Sequence, residues 1–146
     1  MTVIAWDGRS IAADKRAVNN ALAVTTTKIR RVVIDGADVI LAWAGDQGSG
    51  QAMAAWYAAG ADPAKFPECQ KDDELWARLI VADSAGAKFY ERQPVAIQVE
   101  DGFAAWGSGR DFAMVALHLG KTPREAVEIA SLFSLGCGNG VDSFDL

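Results

Sequence analysis

Two Asp-Gly pairs, Asp7-Gly8 and Asp35-Gly36, each stand between short apolar runs, and they restrict the fold more than any other feature of the chain. An Asp-Gly step supplies the positive φ that a tight hairpin turn requires, so each pair predicts two antiparallel strands side by side. The runs around them read as strands over residues 2–6, 10–14, 21–28, 31–34 and 39–44, with a polar stretch up to Asn20. The first third of the chain is therefore expected to be antiparallel sheet.

Gly45-Asp46-Gln47-Gly48 ends that sheet, and the alanines of residues 51–59, with Met53 and Trp56, suit a helix lying closely on a flat surface. Pro63 and Pro67 break the pattern over residues 61–73, which reads as a loop. A second set of strands follows at 75–82, 88–91, 95–99 and 103–106, then helices at 111–119 and 123–133. Thr122 before Pro123, with Glu125 three residues after Thr122, is a capping-box start for the last helix. A glycine-rich stretch, residues 136–140, leads into a last short strand at 141–146. The order sheet, helix, sheet, helices, strand fits one α+β domain over residues 1–146, in three or four layers.

The composition of 51% hydrophobic and 23% charged residues is that of a globular chain, and its 146 residues are enough to bury a core. A net charge of −5 with scattered basic residues excludes the electrostatic footprint of a nucleic-acid binder. Cys69 and Cys137 lie far apart without metal-ligand spacing, and His118 is the single histidine, so neither a disulfide framework nor a metal site is expected. There is no phosphate loop or dinucleotide fingerprint, and no cofactor is expected. The sequence has neither a secretory leader nor a run of about 20 apolar residues, so a cytoplasmic protein without membrane contact is expected. The five tryptophans read as core or subunit-contact residues.

Thr2 has a chemical possibility that depends on its place in the chain. A threonine exposed as the first residue carries nucleophile and base together, because its hydroxyl attacks while its own α-amine, titrating near pH ~7.7–8.0, takes the proton. While Met1 remains attached, that nitrogen is an ordinary amide. Amide hydrolysis by such a threonine needs a cation, an anion to hold the cation, and a backbone donor for the oxyanion. Lys28, Asp14 and Gly45 are candidates for these three parts, since Asp14 closes the second strand, Lys28 ends the third and Gly45 stands where sheet passes to helix. Singly each has an ordinary alternative: a turn former for Asp14 and a solvated sheet-edge charge for Lys28.

The strings that hold these residues resemble the proteasome β-subunit family, including the HslV peptidase, within the N-terminal nucleophile hydrolases. Thr2-Val3-Ile4-Ala5 is similar to the family's first strand, and Ile11 to Ala17 is similar to its Ala-Ala-Asp-x-Arg-Ala segment, which puts the family's aspartate on Asp14. Lys28-Ile29-Arg30-Arg31 resembles the segment bearing the catalytic lysine, here Lys28. Ala44-Gly45-Asp46 resembles the Ala-Gly-Gly turn, whose first glycine N–H serves the oxyanion, here Gly45. Trp106-Gly107-Ser108-Gly109 resembles the element that brings a serine to the threonine amine, here Ser108, whose ordinary alternative is a helix cap. The resemblance covers nearly the whole chain.

It implies a four-layer αββα sandwich and a threonine peptidase with the catalytic set Thr2, Asp14, Lys28, Gly45 and Ser108. Its substrates would be peptides or unfolded proteins, it would assemble as a homo-oligomeric ring, and any ATP-driven unfolding would come from a partner. The chain departs from the family pattern in the short loop at 61–73, which stands where a second helix is usual. It also departs at Asp46, in place of the second turn glycine, and at Ser134 and Cys137, where the family's later aspartate and serine align. These departures keep two other readings open: a non-catalytic assembly protein of the same fold, and a hydrolase of small amides.

Overall fold

The computed structural model describes residues 1–146. Strands β1 (Ile4–Trp6) and β2 (Ser10–Asp14) pair antiparallel with Ile4 opposite Ala13 and Trp6 opposite Ile11. Their connection differs from the expected two-residue turn. The Asp7 carboxylate accepts from the N–H groups of Arg9 and Ser10, both at 2.9 Å, so the side chain closes a wider turn in which only Gly8 has positive φ. The expected geometry occurs at the second pair, where Asp35 (φ 51°) and Gly36 (φ 77°) join β5 (Ile29–Ile34) to β6 (Ala37–Gly45).

β10 (Ala104–Trp106) and β11 (Val141–Asp145) flank the first pair, giving a four-stranded sheet in the order β10-β1-β2-β11. The second sheet is a meander of five strands: β5, β6, β7 (Ala77–Asp83), β8 (Gly86–Tyr90) and β9 (Ile97–Gln98). Alternation along the strands then dictates the layers, because successive side chains point to opposite faces. Ile4, Trp6, Ile11 and Ala13 of the first sheet bury themselves against Ile40, Ala42, Ile80 and Ala82 of the second. The opposite face, Val3, Ala5 and Ala12, meets α2 (Arg110–His118) and α3 (Pro123–Phe133) through Ala113, Ala116, Ala126, Val127 and Ala130. Leu41, Trp43, Leu79 and Val81 on the outer face of the second sheet meet Met53, Ala54 and Trp56 of α1 (Gln47–Ala58). The result is a four-layer αββα sandwich.

Three local outcomes depart from the sequence expectation. Residues 16–25 form a hairpin of their own, β3 (Arg16–Asn19) and β4 (Leu22–Thr25), where one long strand over 21–28 was expected. Its turn places Asn20 and Ala21 at positive φ, and alanine gives no signal for that conformation. Helix α1 begins at Gln47, four residues earlier than expected, because the Asp46 carboxylate accepts from the Ser49 N–H at 2.9 Å and caps it. Residues 61–73 contain two short 3₁₀ turns, Pro63–Lys65 and Glu68–Lys71, so the layer over the second sheet holds one α-helix. Buried Gln70 ties the second turn to the sheet, its amide donating to Ala77 O (2.7 Å) and Glu91 O (2.6 Å) and accepting from Ala77 N–H (3.0 Å). Trp6, Trp43, Trp56 and Trp106 are core residues, whereas Trp76 is half-buried at the cleft described below. His118 is exposed at the end of α2 rather than packed against its neighbours.

Candidate active site

Thr2 lies two residues before β1 and is held by the Ser108-Gly109 segment. Its carbonyl accepts from the Gly109 N–H at 3.1 Å, and its N–H donates to Ser108 Oγ at 3.2 Å. Next along the chain, Val3 N–H donates to Asp14 Oδ1 (3.0 Å) and Val3 O accepts from Asp14 N–H (3.1 Å), so β2 carries Asp14 directly beside the chain start. Asp14 is fully buried, and its other oxygen accepts from the N–H groups of Arg16 (3.2 Å) and Gly138 (3.0 Å). A carboxylate so placed needs a cation. It has one: Lys28 Nζ is 2.9 Å from Asp14 Oδ1.

Lys28 is itself 1% exposed, which excludes a solvated sheet-edge charge. Burial pushes its pKa below the ordinary 10.5, and the adjacent Asp14 charge opposes that shift without cancelling it. The second hydrogen bond of the ammonium goes to Met1 O at 2.9 Å, so it reaches the peptide unit between Met1 and Thr2. Ser108 does not cap α2. The N-cap is Gly109, with no side-chain hydrogen bond, and the Ser108 hydroxyl turns to Thr2 instead, with Cys137 Sγ 3.8 Å away.

Gly45 ends β6 at φ 118°, where a Cβ would lie 2.6 Å from Trp76 O, so the position demands glycine. It shares with Thr2 the walls of two cavities, one of about 480 Å³ on the Ser108 side and one of about 510 Å³ on the Lys28 side. All five residues singled out from the sequence thus meet: Asp14, Lys28 and Ser108 by hydrogen bonds around Thr2, and Gly45 across the cleft.

By sequence the chain matches no protein-family model and no curated protein. Solved structures of similar fold include eukaryotic HslV from Trypanosoma brucei, at 21% identity over 99% of this chain and 98% of that one with a TM-score of 0.72. BPH from Thiobacillus denitrificans, in complex with epoxomicin, is 20% identical over 100% of this chain and 98% of that one, with a TM-score of 0.75. Anbu (ancestral beta-subunit) from Yersinia bercovieri is 11% identical, covering 100% of this chain and 81% of that one, with a TM-score of 0.74. The chain has the proteasome-type N-terminal nucleophile hydrolase fold.

Within this proteasome-type fold, several site contacts come from backbone groups with no mark in the sequence. Gly107, at φ 94°, lets its backbone run against the Thr2 carbonyl, where a Cβ would collide. Gly138 N–H supplies a donor to Asp14 from the glycine-rich segment after α3, a segment whose composition announced a tight turn and nothing more. The Met1 side chain, 63% exposed, lies against Gly136, where a Cβ would collide with it. The departures at Ser134 and Cys137 have different outcomes: Ser134 ends α3 and its carbonyl accepts from Cys137 N–H at 3.0 Å, while buried Cys137 brings its thiol to Ser108. Asp46 keeps its carboxylate on the N-terminus of α1, although it also lines both cavities.

Proposed function

We propose that this protein is a threonine peptidase whose nucleophile is Thr2, exposed by removal of Met1. The observation that carries the reading is the convergence on Thr2 of a buried Lys28–Asp14 pair and the Ser108 hydroxyl. A buried ion pair is a weak source of stability, so one placed against a chain start that bears a hydroxyl nucleophile is better explained by chemistry.

In the freed chain the Thr2 hydroxyl attacks the scissile carbonyl, and its proton passes to the Thr2 amine through Ser108 or water. The Lys28 ammonium favours the deprotonated forms of both Thr2 groups, and Asp14 holds it in place. The Gly45 N–H donates to the oxyanion. The Thr2 ammonium then protonates the departing amine, leaving an ester on Thr2 Oγ that water hydrolyses. Peptides or unfolded proteins are the substrates, and the working form is a homo-oligomer. A helical assembly is known for the similar Anbu complex from Pseudomonas aeruginosa. In this chain an exposed apolar face on α2 and α3 supplies the contact surface.

Mass spectrometry of the natively expressed N-terminus, combined with cleavage of fluorogenic peptides, tests the reading. We expect Thr2 as the first residue, hydrolysis that Thr2→Ala abolishes, and covalent labelling of Thr2 by an epoxyketone. Complete retention of Met1, or undiminished cleavage by Thr2→Ala, would overturn it. A second reading, a non-catalytic assembly protein, is favoured by the contacts of Met1, whose carbonyl accepts from the Lys28 ammonium and whose side chain lies against Gly136. Retained Met1 in an assembled, inactive protein is its signature.

A further inference from the structure

The two cavities that meet at Thr2 are chemically unlike, and their positions relative to the proton donor assign them different halves of a substrate. When the scissile C–N bond breaks, the departing nitrogen takes a proton from the Thr2 ammonium. Ser108 lies on that nitrogen, 3.2 Å from Thr2 N, and lines only the cavity of about 480 Å³. Lys28 lines only the other, which is walled by the β3–β4 hairpin. The leaving-group half of the peptide therefore belongs on the Ser108 side, and the acyl half on the Lys28 side.

Charged groups on the leaving-group side are Glu74 and Arg78, with Asp46 shared between the two cavities and the Trp76 ring as an apolar wall. The Arg78 guanidinium is already matched: it is paired with Glu91 and lies over the rings of Trp76 (5.9 Å) and Phe89 (5.5 Å). Asp46 is offset only by the N-terminus of α1 through Ser49 N–H, and Glu74 pairs with no cation. A subsite with uncompensated negative charge and a flat apolar wall suits a long stem ending in a cation. Resting on the peptidase reading, we infer that this cavity is a subsite for the residue following the cleaved bond and that it selects lysine or arginine there.

The test uses Thr2-exposed protein and internally quenched peptides that share one acyl half and carry Arg, Leu or Glu immediately after the cleaved bond. One half-buried and one exposed carboxylate predict kcat/KM for Arg over Leu of roughly 3- to 10-fold, with Glu lowest. The preference shrinks in about 1 M NaCl, where the screening length is about 3 Å. Glu74→Arg, a change at an exposed position, reverses the order of Arg and Glu. An independent readout is the binding of argininamide, a mimic of the departing half, followed through the Trp76 indole NMR signal. Saturable binding of argininamide but not leucinamide is expected, and Glu74→Arg removes it.

Cleavage with equal rates for the three peptides, or with Leu or Glu preferred, overturns the inference and leaves the peptidase reading intact. Selective argininamide binding without cleavage of any peptide keeps the cationic subsite and overturns the peptidase reading. Absence of both overturns both.

Discussion

At the scale of single residues the site is a charge balance inside the protein. Lys28 and Asp14 are both buried, and removing one partner leaves the other uncompensated, a change that costs about 3–5 kcal/mol in such pairs. Lys28→Met is therefore expected to lower unfolding free energy by about that amount in urea melts and to abolish cleavage. Lys28→Met combined with Asp14→Asn should cost clearly less than the sum of the two single changes, because no lone charge remains. If the changes prove additive, the pair is not coupled as the geometry requires. Thr2, Asp14, Lys28, Gly45 and Ser108 were legible because each sits in a short string with a distinctive chemical type at a recognisable offset. The contacts of Gly107, Gly138 and the Val3 N–H were not, since backbone atoms make them and their partners meet only once the chain is folded. The ordinary readings of Lys28 and Ser108 fail for one reason: the stacking of the two sheets sets Lys28, just before β5, on Asp14, and the β10–α2 corner sets Ser108 on buried Thr2, neither of which local sequence can announce.

Among the elements, α3 and α1 offer opposite tests of how local sequence sets structure. The α3 capping box is complete, with Glu125 N–H donating to Thr122 Oγ1 (3.2 Å) and the Glu125 carboxylate accepting from Thr122 N–H (2.8 Å). That backbone hydrogen bond holds the Glu125 carboxyl below its ordinary 4.5. A lowered folded-state pKa means the stabilisation is fully present above 4.5 and is lost as pH falls through the folded-state value. Urea melts across that window should show the wild type losing its advantage over Glu125→Gln, which keeps the hydrogen bond without the charge. A constant difference would show that the charge plays no part.

On α1, Gly50 lies against the Trp43 ring, where a Cβ would overlap the indole. Ala gains up to ~1 kcal/mol over Gly in a helix, but overpacking costs about 1–3 kcal/mol, so Gly50→Ala is expected to destabilise. A rise in melting temperature would contradict the close approach of α1 to β6. Most elements were readable because apolar alternation and turn residues agree with the final layers; Pro123–Phe133 was marked at its start. The β3–β4 hairpin was not readable, because its strands are four residues long, largely exposed and turned at an alanine. The wider Asp7 turn was hidden as well, since its side-chain closure looks in sequence like a two-residue hairpin.

At the scale of the whole molecule, the outer face of α2 and α3 carries apolar side chains that the core does not cover. Phe112 and Val115 on α2 and Leu119 at its C-cap recur at helical spacing on one side, and on α3 Leu132 and Phe133 stand beside them, with Leu135 just beyond. Leu119, Leu132 and Leu135 are 72%, 78% and 93% exposed, while the Phe112 and Phe133 rings pack 5.7 Å apart and make the patch continuous across both helices. The proposed homo-oligomer would set a second copy of the chain on this apolar surface. These helices lie over the sheet that holds β1 and β2, and α2 begins two residues after Ser108, so a contact that fixes α2 also fixes the Ser108 end of the site. Leu132→Glu with Phe133→Glu places two charges in the patch without touching Thr2. In sedimentation velocity we expect this variant to shift to a smaller species, with its far-ultraviolet circular dichroism retained. Cleavage should fall together with assembly, and raising protein concentration should restore both. If the double variant remains assembled, the contact lies elsewhere on the molecule; if it dissociates with full activity, the single chain is the working unit and assembly is dispensable.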